Sequence, residues 1–240
     1  MKFSKIISKL LEAIFPDWRE MFLSYKSLKK QLKLIYPKDG DEPVAKRLRL
    51  ADRGDLATGE SNVEGEGEVT KEVADFLKLL HQEIEKINDF FVQKEKYYIT
   101  AWKKLQDRLV KAKDTNEDLA EVGRNLVDIH GEMILLQIYS NINYTGLVKI
   151  TKKHDKRSGA FIRFPFIQSV LKQPFFSIDM LNKLVKDCET MFDTTFSKKE
   201  LGEIEHLEST NVKLTLLALR VLKEIRGGSS NISEFSLPPL

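Results

Sequence analysis

Between Val69 and Lys113 the chain reads VTKEVADFLKLLHQEIEKINDFFVQKEKYYITAWKKLQDRLVKAK, and the spacing of its apolar residues fixes the fold class. Val73, Leu77, Leu80, Ile84, Ile87, Phe91, Tyr98, Ala101 and Leu105 recur three and four apart, or at multiples of those steps. That period belongs to one face of an α-helix. At 1.5 Å per residue, some 40 residues make a rod of roughly 60 Å. A turn at Asp114-Thr115-Asn116 leads into a second long helix whose inner face carries Leu119, Val122, Leu126, Ile129, Met133 and Leu136. Two long helices joined by a tight turn form an antiparallel hairpin, and a third element must cover its open seam.

Working outward, the N-terminus supplies that cover. A first helix runs from Lys2 to Ile14 and stops at Pro16-Asp17; a second runs from about Trp18 to Ile35 before Tyr36-Pro37 ends it. The expected architecture is all-α: a long antiparallel hairpin, completed by an N-terminal helical hairpin into a three-helix-bundle-like core, with short C-terminal helices. Residues 38–70 hold five of the twelve glycines and few spaced apolar residues, which predicts a disordered acidic linker. Phe164-Pro165 and Pro174 punctuate two shorter helices, about 166–172 and 178–192. Ser197-Lys198-Lys199-Glu200 is a capping box opening a last helix that ends at Gly227-Gly228. On it Ile204, Leu207, Asn211, Leu214, Ala218, Val221 and Ile225 alternate three and four apart, with Asn211 as the polar seam residue. Self-association through 197–226 and packing on the chain's own bundle both fit this pattern. The expected divisions are 1–195, an amphipathic helix over 196–226, and a disordered tail over 227–240.

Composition excludes several classes. The 240 residues are 31% charged with only 7 Pro and 12 Gly, unlike collagen-like or wholly disordered chains. No apolar run approaches the ~18 residues that cross a bilayer, and Glu12 and Pro16-Asp17 interrupt any signal-peptide core. The single cysteine, Cys188, forms no internal disulfide and reads as a small core residue. His81, His130, His154 and His206 lack metal-ligand spacing, and no nucleophile elbow, Walker loop or dinucleotide fingerprint occurs. Trp18, Trp102, Tyr97 and Tyr98 read as core or hairpin contacts.

The net charge of +3 conceals a partition. Residues 1–50 carry 12 basic and 6 acidic side chains, and residues 141–163 carry 6 and 1, whereas 51–70 carry 1 and 6. Concentrated like charge destabilises a compact state unless an anion offsets it; two solvated helix faces are the plainer alternative. In the second basic segment Lys149, Lys152, Lys153 and Lys156 fall within one ~100° arc, with Leu147 and Ile150 opposite. Each like-charge pair at i,i+3 or i,i+4 costs a few tenths of a kcal/mol. In the first, Tyr25, Lys29 and Lys33 follow at i, i+4, i+8 beside an apolar arc of Leu28, Leu32 and Ile35. Two lysine faces meeting across a helix–helix groove make a site for a compact polyanion, because ammonium groups take phosphates as point charges. Gly146 inside a helix costs about 1 kcal/mol and implies close helix contact.

Met1-Lys2-Phe3, Phe22-Leu23-Ser24-Tyr25-Lys26-Ser27-Leu28-Lys29-Lys30 and the block from Asn143 to Gly159 (NYTGLVKITKKHDKRSG) closely resemble the three blocks of an SPX domain over roughly residues 1–195. The chain looks like a stand-alone plant-type SPX protein. The resemblance implies a helical sensor of inositol polyphosphates, with inositol hexakisphosphate or an inositol pyrophosphate as ligand and no cofactor. It implies a cluster of Tyr25, Lys29 and Lys149, a neighbouring surface of Lys152, Lys153 and Lys156, and an approach by Lys2 at a helix start. Ser4 stands where glycine is common in the family and Ser158 where threonine is. The resemblance further implies that the loaded protein binds and inhibits a MYB coiled-coil transcription factor of the phosphate-starvation response, in nucleus and cytoplasm, without membrane or direct nucleic-acid contact and without enzymatic activity. Ala45-Lys46-Arg47-Leu48-Arg49-Leu50 suits nuclear import, or is a solvated patch. The competing classes are a basic nucleic-acid-binding or scaffold protein without small-molecule ligand, and an enzyme acting on polyphosphate. Against the first, the aromatics are not interleaved with the lysines; against the second, no paired carboxylates flank the basic segments.

Overall fold

A computed structural model describes residues 3–36, 71–112, 116–196 and 210–227. Among them the chain forms α1 (Phe3–Ala13), a 3₁₀ turn (Arg19–Met21), α2 (Tyr25–Ile35), α3 (Lys71–Ala112), α4 (Asn116–Ser158), α5 (Arg163–Val170), α6 (Asp179–Thr195) and α7 (Thr210–Gly227), with no strand. The expected linker over 38–70, the import cluster at 45–50, the turn residues Asp114 and Thr115, the capping box at 197–200, and residues 228–240 of the tail lie outside the described residues.

The long hairpin is α3 and α4, of 42 and 43 residues. Val73, Leu80, Ile84, Ile87, Phe91, Tyr98 and Leu105 are buried on α3, and Val122, Leu126, Ile129, Met133 and Leu136 on α4. Helix α4 is the axis of the molecule. It contacts α2, α3, α5, α6 and α7, so toward its C-terminal half it is buried nearly all round, from Leu135 through Tyr139, Asn143, Leu147 and Thr151 to Ser158. A helix covered on most of its sides loses the single apolar stripe of a surface helix. Its buried hydroxyls stay paired: Thr151 Oγ1 donates to Leu147 O at 2.8 Å and Ser158 Oγ to His154 O at 3.1 Å. Cys188 is fully buried, as expected, and burial with the nearby charge of Glu189 pushes its thiol up to about 12.

Three expectations require correction. The second helix starts at Tyr25, not Trp18. Phe22 is extended (φ −75°, ψ 162°), and Phe22 and Leu23 plunge into the core. The backbone N–H groups of Leu23 and Ser24 donate to the side chains of Asn143 and Glu83, so tertiary acceptors replace the helical ladder there. An aromatic cluster of Phe15, Trp18, Phe22, Phe90 and Tyr139 holds the turn, and the Tyr139 hydroxyl donates to Met21 O at 2.7 Å. Helix α5 begins at Arg163, before Pro165 rather than after it. Proline in a first turn removes only an N–H that has no helical partner, and the Asp155 carboxylate accepts the N–H groups of Ile162 and Arg163 at 3.2 Å. Tyr97 also departs from expectation, with 58% of its surface exposed, whereas Trp102 and Tyr98 are buried.

Helix α7 packs on α4 and α1. Its Ala218, Leu222 and Ile225 join the same buried core, and Thr215 Oγ1 donates to Gly131 O at 3.3 Å. Over residues 214–225, the described part, the three-four spacing read in the sequence is therefore covered within this chain. Leu216 and Leu217 face outward. The side chain of Asn211 lies outside those described.

Candidate polyanion-binding groove

The site is set by how α2 lies on α4. At one end Leu23 N–H donates to Asn143 Oδ1 at 2.8 Å, while Asn143 Nδ2 donates to Tyr139 O at 2.9 Å. Beside it the Glu83 carboxylate on α3 accepts Ser24 N–H at 2.8 Å and the Lys86 ammonium at 2.7 Å; Lys86 also donates to Ser24 Oγ at 3.1 Å. At the other end Arg157 Nη1 donates to Leu32 O (3.3 Å) and Tyr36 O (3.0 Å), satisfying carbonyls at the C-terminus of α2. Leu23 thus stands opposite Asn143 and Tyr36 opposite Arg157, so the two helices run parallel in matched register.

At the first anchor the Leu23 side chain packs into the space that Gly146 leaves open. A Cβ there would lie 2.6 Å from Leu23 Cδ2. The glycine admits the leucine, which is the contact role expected for it.

Tyr25 and Lys149 meet through a third residue. The Phe3 ring makes a T-shaped contact with Tyr25 at 4.9 Å between centroids, and the Lys149 ammonium lies over the same ring at 5.3 Å. Lys149 leans back toward the start of its helix, as helical side chains do. Burial raises the Tyr25 hydroxyl above its ordinary value. Burial first, and then the charge of Lys152, lower the Lys149 amine. Lys29, Lys152 and Lys153 are half-buried, and Lys156 and Lys33 are exposed. Leu147 and Ile150, expected on the opposite side of α4, are fully buried. Asp155, the single acid among residues 141–163, points its carboxylate at the start of α5. Lys2, the remaining expected ligand group, lies outside the described residues.

Sequence reasoning quoted Phe3, Asn143 and Arg157 only as members of the resembling blocks, with no role for them, and did not single out Glu83 or Lys86. Asn143 stands among other polar residues, Ser140, Asn141 and Thr145, so its neighbours gave no signal that it is the buried anchor. Ser158, a departure from the family pattern, accepts Ala160 N–H at 3.1 Å and serves the turn after α4. A cleft of about 420 Å³ opens between α1 and the start of α2, lined by Ser4, Ser8, Arg19, Tyr25, Lys26 and Lys30 among others; it shares Tyr25 with the groove, and none of the α4 lysines borders it.

Chemically, the groove offers one phenol and amines from two parallel helices. Such a wall suits a small molecule bearing several phosphates, each charge-assisted hydrogen bond contributing ~1.5–3 kcal/mol.

No family model matches the chain. It is 50% identical over 249 residues to SPX domain-containing protein 1 of Arabidopsis thaliana, covering 100% of this chain and 92% of that relative. It is 46% identical over 271 residues to SPX domain-containing protein 2 of Arabidopsis thaliana, and 46% identical over 275 residues to SPX domain-containing protein 1 of Oryza sativa subsp. japonica, each again covering 100% of this chain and 92% of the relative. Among solved structures, the SPX domain of Chaetomium thermophilum glycerophosphodiester phosphodiesterase 1, in complex with inositol hexakisphosphate, superposes with a TM-score of 0.60 at 22% identity. The match covers 80% of this chain and 98% of that one, and it shows the shared helical fold. Half-identity along the full length to plant relatives, on this helical architecture, makes the chain a member of the SPX domain-containing protein family.

Proposed function

We propose that this protein is a phosphate-status sensor that binds inositol polyphosphates or pyrophosphates through Tyr25, Lys29, Lys149, Lys152, Lys153 and Lys156, with Lys2 approaching from the N-terminus. The observation that carries the reading is the meeting of Tyr25 and Lys149 on one aromatic ring, which gathers groups 124 positions apart into one wall. The inositol hexakisphosphate held by the Chaetomium SPX domain supports the ligand class. Neutralising the lysines relieves their mutual repulsion and ties α1 and α2 to α4. The loaded surface then binds a MYB coiled-coil transcription factor of the phosphate-starvation response and restrains it, in nucleus and cytoplasm. On this reading the protein is a binding module, not an enzyme, and contacts neither membrane nor nucleic acid directly.

Calorimetric titration with inositol hexakisphosphate, with and without a MYB coiled-coil peptide, tests both steps. Saturable ligand binding and peptide capture only when loaded are expected. Absence of ligand binding, or equal affinity for random duplex DNA that falls steeply with salt, overturns the sensor in favour of the nucleic-acid reading.

A further inference from the structure

We propose that Phe3 is a positioning residue of the groove, its ring holding the Lys149 ammonium beside Tyr25 so that both groups stand ready for one phosphate cluster. The inference rests on the ligand reading above and goes beyond it, since Phe3 carries no group that binds phosphate itself.

The problem Phe3 meets is physical. Lys149 is a long, flexible side chain, partly dehydrated and repelled by Lys152. Left alone, its ammonium gains by swinging out to water, and a scattered amine must be reordered at each binding event. A carboxylate would hold it, but would also cancel the charge and occupy its N–H groups. An aromatic face attracts the cation through its quadrupole and accepts no strong hydrogen bond. The charge and the donors of Lys149 therefore remain available to an incoming phosphate. The second contact of the same ring, T-shaped at 4.9 Å, fixes Tyr25 from α2. Phe3 sits in the first turn of α1 and is partly buried against the core. One ring from a third helix thereby sets the spacing of two groups that neither α2 nor α4 controls alone.

The test uses the full chain. Phe3→Leu keeps apolar bulk and removes the π face; Phe3→Tyr keeps the face. Titration with inositol hexakisphosphate is expected to show Phe3→Leu weaker by about 3- to 20-fold and Phe3→Tyr within about twofold of the parent. In a Lys149→Met background, Phe3→Leu is expected to add less than about half its cost in the parent. In NMR spectra of the ligand-free parent, the Lys149 Hε protons are expected to be displaced upfield by the ring, a displacement lost in Phe3→Leu. Parent-like affinity of Phe3→Leu overturns the proposal. So does an equal loss with and without Lys149, which marks a merely structural residue, and so does an undisplaced Lys149 resonance in the parent. Failure of the parent to bind any inositol phosphate removes the ligand reading instead, and the Lys149 resonance still decides whether the ring holds the amine.

Discussion

Leu23 and Asn143, 120 positions apart, share a buried hydrogen bond of 2.8 Å that sets where α2 begins and how it lies on α4. That bond and Arg157 at the opposite end tie the two ends of α2 to α4. The lysines supply charge, and these two polar anchors supply register.

Asn143→Ala leaves the Leu23 N–H buried without an acceptor. The expected cost is about 1–3 kcal/mol, read as a fall in the midpoint of urea unfolding. Affinity for inositol hexakisphosphate is expected to fall as well, although Asn143 lies off the lysine face. A variant as stable as the parent contradicts the anchor.

Ligand binding raises stability if only the folded state binds. At hundredfold excess over Kd the gain is ~2.7 kcal/mol, a rise in Tm of roughly 5–10 °C for a chain of this size. Replacing Lys149, Lys153 and Lys156 together by Ala is expected to abolish the shift while leaving the helical circular-dichroism signal intact. A full shift in the triple variant would refute the assignment of these lysines.

The pH dependence follows from Lys149. Its folded-state pKa lies below the ordinary 10.5, through burial first and Lys152 second. A bound polyphosphate favours the charged amine, so affinity is complete below that depressed value and declines as pH rises through it. For the ligand-free protein the sign is opposite. The folded state sheds this proton before the unfolded chain does, so unfolding free energy gains between the folded pKa and 10.5. Lys152→Gln is expected to move Lys149 part of the way back up, the burial contribution remaining. NMR titration of the Lys149 side chain checks this; an unshifted amine in the parent would contradict it.

Arg157→Lys retains the charge but shortens the side chain and loses the planar Nη1 amino group that donates to both Leu32 O and Tyr36 O. The expected result is a loss of about 0.5–1.5 kcal/mol per released bond, with faster amide exchange at the end of α2. Exchange in residues 32–36 identical to the parent would show that the cap is dispensable.

Much of this molecule is legible in short windows of its sequence. Ile84, Ile87 and Phe91, or Leu126, Ile129 and Met133, declare their helices because the three-four spacing is a local property of the backbone. The lysine stripe from Lys149 to Lys156 is legible for the same reason. Pro165 misleads because a proline marks a boundary without saying which side of it the helix occupies. The spacing of Ala218, Val221 and Ile225 leaves open whether a second copy or the chain's own α4 covers that face, since both remove the same stripe from water.

The sequence alone determined the helices, the hairpin and the two basic faces, because helical period and charge are carried by neighbours within a few turns. The tertiary structure alone decided that α2 opens at Tyr25, that Arg157 meets the end of α2, and that Phe3 joins Tyr25 to Lys149. Those outcomes depend on single side chains reaching across more than a hundred positions, a distance over which no local pattern carries information.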